Sequence, residues 1–248
     1  MAKEIELSTL RHSTAHVMAE AVLELFPDAQ IAIGPAIENG FYYDFDLPRP
    51  LTDADLETIT KNMRKIINSG REFVRKEVTR EEAKEIFKNQ KYKLELLDAI
   101  PEGETVTTYT QGGFTDLCRG PHVESTKDLV ADGFKLLSIA GAYWRGNEKN
   151  KMLTRIYATA WGSKEDLKAY MDHLADIEKR DHRKLGKELD LFSLHEEAGP
   201  GLVYWHPRGA RIRQTIEQFW REEHYKNGYE MVYTPHVGKS WLWETSGH

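Results

Sequence analysis

At 248 residues, 40% hydrophobic and 30% charged, the chain is long enough for one large or two modest globular domains, each with its own core. A formal net charge of −6 leaves no global basic footprint, so any contact with nucleic acid has to use local patches. One cysteine excludes an internal disulfide and fits a reducing compartment, and no run approaches the roughly eighteen apolar residues of a membrane span. The start, Met1-Ala2-Lys3-Glu4-Ile5-Glu6, is acidic and lacks a hydrophobic region, so it is not a secretory signal. A cytoplasmic protein with no membrane partner is expected.

The spacing predicts a first helix from Ser8 or Thr9 to just before Pro27. Leu10, Val17, Met18, Ala21 and Leu25 fall on one stripe, and His12 and His16 lie almost opposite it, in line with Leu23. Residues 31–35 read as a short strand broken by Gly34-Pro35, Glu38-Asn39-Gly40 as a turn, and 41–46 as a strand. Thr52 opens a helix to about Ser69, ended by Gly70. Thr79-Arg80-Glu81-Glu82 has the form of a capping box and starts another, and a short helix follows over 93–99. Strands are expected at 106–109, 134–139 and 152–160, punctuated by Gly112-Gly113, Gly120-Pro121, Gly141 and Gly146-Asn147. Helices and strands are segregated, which indicates an α+β domain of two layers with a largely antiparallel sheet, ending near residue 162.

Ser163 caps a long polar helix expected to run to about Leu189. Its second half carries Lys179, Arg180, His182, Arg183, Lys184 and Lys187, a run that suits a solvated face or an approach to RNA phosphates. Beyond it come a Gly199-Pro200-Gly201 turn, a strand at 202–205, a helix at about 210–227 stopped by Gly228, and a strand at 229–234 closed by Pro235. These elements are too few to bury a core by themselves.

Two pairs of potential ligands stand out, one His–His and one Cys–His. His12 and His16 are four apart on one helical face, so both imidazoles can converge on a small volume, as a metal pair or as a water-orienting pair. Cys118 and His122 repeat the spacing in a Gly-Pro loop, where irregular backbone can aim side chains inward.

Several stretches taken together resemble the editing domain of bacterial threonyl-tRNA synthetases. They are Arg11-His12-Ser13-Thr14-Ala15-His16, Ala32-Ile33-Gly34-Pro35, Asn39-Gly40-Phe41-Tyr42-Tyr43-Asp44, Asp116-Leu117-Cys118-Arg119-Gly120-Pro121-His122 and Ala140-Gly141-Ala142-Tyr143-Trp144-Arg145-Gly146. Lys179-Arg180-Asp181-His182-Arg183-Lys184-Leu185-Gly186 resembles the linker that follows it, and the helix, strand and Pro235 resemble motif 1 of class II aminoacyl-tRNA synthetases. The resemblance implies an editing domain at 1–162, a linker helix at 163–189 and an incomplete class II antiparallel core at 190–248, with a homodimer through the motif 1 region. The parent reaction, ATP-dependent joining of threonine to tRNA(Thr), uses ATP, magnesium and a zinc. The later class II motifs, the ligands of that zinc, the ubiquitin-like domain and the anticodon-binding domain find no match in this sequence, so ligase activity is not expected of this polypeptide.

The implied chemistry is hydrolysis of a seryl ester on the tRNA(Thr) acceptor end. Serine differs from threonine by one methyl, worth roughly 1–3 kcal/mol, so binding alone cannot reject it and a second, hydrolytic site is required. The resemblance assigns catalysis to His12, His16, Lys93 (matched by its Tyr-Lys context), Asp116 and His122. It assigns substrate binding to Gly34, Pro35, Tyr42, Tyr43, Cys118 and Arg119, of which Tyr42 and Tyr43 would meet the terminal adenosine, although one of two adjacent strand residues must point into the core. No metal is expected for editing. A related alanyl-editing branch binds zinc through a similar set, which would here be His12, His16, Cys118 and His122. The rival readings are therefore a zinc-dependent trans-editing hydrolase and a non-enzymatic tRNA-binding or dimerising module.

Overall fold

A computed structural model describes residues 5–247; residues 1–4, most of the acidic start, and residue 248 lie outside the described part. Two compact units emerge, Met1–His173 and Leu174–His248, divided inside one helix.

Unit 1 is α+β, as expected, but with two antiparallel sheets. In the first, β1 (Gln30–Ile31) and β2 (Ala36–Ile37) both pair with β3 (Gly40–Asp46), followed by β8 (Met152–Ala160) and β7 (Phe134–Tyr143). The second consists of β4 (Val74–Val78), β5 (Val106–Gln111) and β6 (Phe114–Leu117). The expected strand at 31–35 is divided, with 32–35 irregular between β1 and β2.

Helices α1 (Leu7–Leu25) and α2 (Asp53–Ser69) lie on one face of the five-stranded sheet. Period-2 alternation sends Phe41, Tyr43 and Phe45 of β3 and Ile156 and Ala158 of β8 into that layer, where they meet Met18, Val22, Ile59, Met63 and Ile66. The helix α1 is buried on nearly every side rather than along one stripe. Arg11, Ser13, Thr14, His16 and Glu20 are as buried as Leu10, Val17 and Met18, whereas Leu25 is only partly so. Ala15, Ala19 and Ala21 make this possible, because short side chains let α2, β2, β3 and β8 all approach the same helix.

Local sequence codes set the other helix ends. The Thr52 hydroxyl accepts from Asp55 N–H at 3.3 Å, Asp55 Oδ2 accepts from Thr52 N–H at 2.8 Å, and Gly70 closes α2 in the left-handed region at φ +66°. Thr79 and Glu82 form the same box at the start of α3 (Arg80–Ile86), and α4 (Lys91–Asp98) follows.

The helix α5 (Lys164–Lys179) spans the division between the units. The expected single helix to Leu189 is interrupted at Arg180-Asp181. The Asp181 carboxylate accepts from Arg183 N–H at 2.7 Å and so caps a separate helix, α6 (His182–Glu188). The basic residues there are exposed, and two are neutralised by neighbours, Arg180 by Asp176 and Arg183 by Asp181. Unit 2 continues with a hairpin of β9 (Phe192–Leu194) and β10 (Val203–Trp205), then α7 (Pro207–Lys226) and α8 (Ser240–Ser246). Residues 229–234 are not a strand; among the described residues no neighbouring strand pairs with them, and an extended segment needs a partner to become one. No described helix is long and apolar enough to cross a membrane.

Thr52→Ala removes the side-chain half of the α2 cap while leaving the core intact. It is expected to lower stability by about 1 kcal/mol, read as a lower unfolding midpoint in denaturant; an unchanged midpoint would contradict the assignment.

Candidate active site

Five elements deliver the site. The helix α1 carries His12, Ser13 and His16; α4 carries Lys93; β3 carries Tyr43; β6 carries Asp116; and the loop after β6 carries Cys118 and His122. In β6 the alternation turns Phe114 and Asp116 inward. Gly120 lets the loop fold back. Its φ is +74°, and an added Cβ would stand 2.4 Å from the Tyr109 hydroxyl, so only glycine fits.

The histidine–cysteine set closes into one cluster, with one donor atom from each of His12, His16, Cys118 and His122 within 4.8 Å of all the others. Cys118 Sγ lies 3.4 Å from His12 Nε2 and 3.3 Å from His122 Nε2, and it accepts from Gly120 N–H at 3.2 Å. The Ser13 hydroxyl is 2.8 Å from the Thr9 carbonyl, 3.0 Å from His122 Nδ1 and 3.0 Å from Val123 N. It has one hydrogen; given to the Thr9 carbonyl, it leaves Oγ to accept from Val123 N–H and from His122 Nδ1–H. His12 likewise bonds the Pro121 carbonyl. Both rings then turn an Nε2 lone pair toward one sulfur that has a single hydrogen to give. One lone pair is left over for a ligand.

Burial governs the protonation states. Desolvation pushes the Cys118 thiol up to about 12, holds His16 and His122 well below the ordinary imidazole range, and lowers His12 as well. At neutral pH the cluster comprises three neutral imidazoles and a thiol.

Behind it lies a charged group of three. The Lys93 ammonium forms an ion pair with Asp116 Oδ1 and stands 3.1 Å from the Tyr43 hydroxyl, which donates to Asp116 Oδ2 at 2.6 Å. His16 Nε2 is 3.5 Å from the same carboxylate oxygen. All four side chains are buried. Burial and the adjacent carboxylate raise the Tyr43 phenol well above its usual range, so it stays a donor. Gly34 packs flat on the Tyr43 ring, where a Cβ would lie 2.0 Å from Cδ2.

An open cleft of about 540 Å³ reaches both groups, lined among others by Thr9, His12, His16, Lys93, Asp116 and Cys118. Gly34, Pro35 and Arg119 also line it, Arg119 at the exposed mouth and paired with Glu104. Of the residues expected to act, His12, His16, Lys93, Asp116 and Cys118 meet at the cleft. His122 sits behind Cys118, and Tyr43 behind Asp116, holding side chains rather than facing the opening. Tyr42 does not join them, because alternation along β3 places it on the opposite face of the sheet, against Arg155. Ser13, Ile33 and Leu96 were not anticipated; for Ser13 the available signal was its place between the two helix histidines.

For a metal ion the donor set fits in part, since its atoms spread over as much as 4.8 Å. A tetrahedral zinc with bonds of about 2.0–2.3 Å requires donors spaced at roughly 3.3–3.8 Å, and the sulfur–nitrogen distances of 3.3 and 3.4 Å meet that. Ser13 would be the outer partner that orients His122.

Cys118, the only cysteine, is expected to resist alkylation in chelator-treated protein at pH 8. A thiol at about 12 gives a thiolate fraction on the order of 10³-fold below that of free cysteine. Timed iodoacetamide labelling followed by mass spectrometry measures this, and a rate like that of free cysteine would contradict the buried, protonated thiol.

The Threonyl and Alanyl tRNA synthetase second additional domain matches residues 106–157, which span β5, β6 and the Cys118–His122 loop. The threonine--tRNA ligase of Borrelia turicatae (strain 91E135) is 57% identical over 246 residues, 99% of this chain. That of Borrelia recurrentis (strain A1) is 58% identical and that of Borreliella burgdorferi (strain ZS7) 56%, over the same length. The chain spans 42% of the length of each of these relatives. Over nearly its whole length the chain is thus similar to the first part of threonine--tRNA ligases, less than half of each relative.

Proposed function

We propose that the chain hydrolyses the seryl ester of mischarged tRNA(Thr), as an editing site does. The observation that carries this reading is the single cleft in which a neutral imidazole with a spare lone pair stands beside a buried ammonium. His12 lines the opening and His122 does not, so the Cys118 S–H is best given to His122 Nε2, leaving His12 Nε2 for a water. That water attacks the ester carbonyl and its proton passes to His12. The Lys93 ammonium, fixed by Asp116 and Tyr43, stabilises the developing oxyanion or protonates the departing ribose oxygen. The products are serine and a free tRNA 3′ end. The names of the relatives support a tRNA partner carrying the threonine acceptor. A homodimer through the motif 1 region belongs to the same proposal, supported by Ile212, Ile216 and Phe219 exposed along one face of α7.

A second reading has zinc held by His12, His16, Cys118 and His122, and the sulfur–nitrogen spacing favours it. The ion would supply Lewis acidity in the cleft, with Lys93 and Asp116 still orienting the ester.

Mutation separates the two. Without metal, His12→Ala and His16→Ala are each expected to slow deacylation about 10²–10⁴-fold, and Cys118→Ser to cost much less, since a hydroxyl keeps the shape and the hydrogen bond. Stoichiometric zinc, lost together with activity in Cys118→Ser, would establish the second reading instead. Full activity in His12→Ala would contradict both.

The acid side of the profile gives a further check. Burial lowers the His12 value, so its neutral form persists below 6.5 and is lost only as pH falls through that lowered value. In chelator-treated protein kcat/KM should therefore hold from pH 8 to below 6.5; an acid limb centred above 6.5 would exclude His12 as the base.

A further inference from the structure

The outer face of the five-stranded sheet carries an aromatic surface that the cleft does not use. Alternation places Tyr42 and Asp44 of β3 and Arg155 and Tyr157 of β8 opposite the face that buries Phe41, Tyr43 and Ile156. Tyr42 and Tyr157 are direct cross-strand partners, with ring centroids 5.7 Å apart. The Arg155 guanidinium stands 3.8 Å from the Tyr42 ring centroid and is fixed there by two bonds to Asp44, of 2.7 and 2.8 Å. Within unit 1, α4 covers one end of this face, where Tyr92, Trp144 and Leu153 pack together. Tyr42 and Tyr157 remain half-buried, outside the hydrophobic clusters. The neighbouring positions on β7, Ser138 opposite Tyr157 and Ala140 opposite Arg155, are exposed and too small to cover the rings.

We infer that this surface stacks unpaired bases of an RNA 3′ end on its way into the cleft. The inference rests on the RNA partner proposed above and adds a second place where that RNA is held. At the rings its charges cancel, since Asp44 neutralises Arg155, and one positive charge is left over only at the sheet's end, where Asp46 holds both Lys91 and Lys151. It therefore offers phosphates little, but it offers bases two rings and a planar guanidinium already fixed in position. Stacking on such groups tolerates any sequence. The surface is also continuous with the cleft, because Tyr42 N–H donates to the Pro35 carbonyl at 3.4 Å and Pro35 lines the opening.

The test compares the affinity of the full chain for two unacylated RNA hairpins, one blunt and one with a four-nucleotide single-stranded 3′ tail, by fluorescence anisotropy. The tail should tighten binding about tenfold, with little change in that advantage as salt is raised. Tyr157→Leu should abolish the advantage and Tyr157→Phe should keep it; should Tyr157→Leu fail to fold, Tyr42→Leu carries the same comparison. A tail advantage that survives in the leucine variant, that collapses with salt as phosphate contacts do, or that is missing in the wild type would overturn the inference. So would a wild-type dimer that Tyr157→Leu dissociates, which would assign the face to a second copy. Because the RNA carries no ester, failure of the hydrolytic reading leaves this outcome unaffected.

Discussion

Asp116 is the point on which the rest of the site depends. Its carboxylate pairs with the Lys93 ammonium, accepts from the Tyr43 hydroxyl and faces His16, so it joins β6 to α4, β3 and α1. Burying two such charges costs several kcal/mol per ion, and their attraction does little more than offset it. Losing one partner would leave the other charge uncompensated in the interior, which is much worse. The pair is therefore poor material for stability and good material for fixing an ammonium at the end of a cleft. The flat contact of Gly34 on the Tyr43 ring belongs to the same arrangement, since any side chain there would push the phenol off the carboxylate.

The second constraint is a count of hydrogens. His12 and His122 both present Nε2 to Cys118, which can satisfy only one of them. Burial keeps the rings neutral and the thiol protonated, so the cluster holds acceptor capacity with no donor to match. An unpaired buried acceptor is costly, and a polar ligand in the cleft relieves it. Water and zinc both meet that need.

Much of this was legible in the sequence, and the exceptions have physical causes. Thr52 with Gly70, and Thr79 with Glu82, are local codes that act within one turn, so the ends of α2 and the start of α3 could be read directly. The His12–His16 and Cys118–His122 spacings were visible too, but their convergence is tertiary. The burial of Lys93 gives no local signal; only the carboxylate of Asp116, 23 positions away, makes it tolerable. The strand β4, Val-Arg-Lys-Glu-Val, was missed because it is an edge strand with four exposed residues and no apolar alternation. The helix α1 was read as one-sided because hydropathy marks Leu and Val, whereas Ser13, Thr14 and the alanines pack closely by being small. For Tyr42 and Tyr43, alternation required that one turn away, and only the register against β8 says which.

The most direct measurement is deacylation of Ser-tRNA(Thr) and Thr-tRNA(Thr) by the purified chain, run in parallel with and without chelator. Hydrolysis of the seryl ester well above the uncatalysed rate, markedly faster than that of the threonyl ester and unaffected by chelator, is the expected result. Binding of both charged tRNAs without turnover of either would contradict it and would leave the cleft a site of recognition alone.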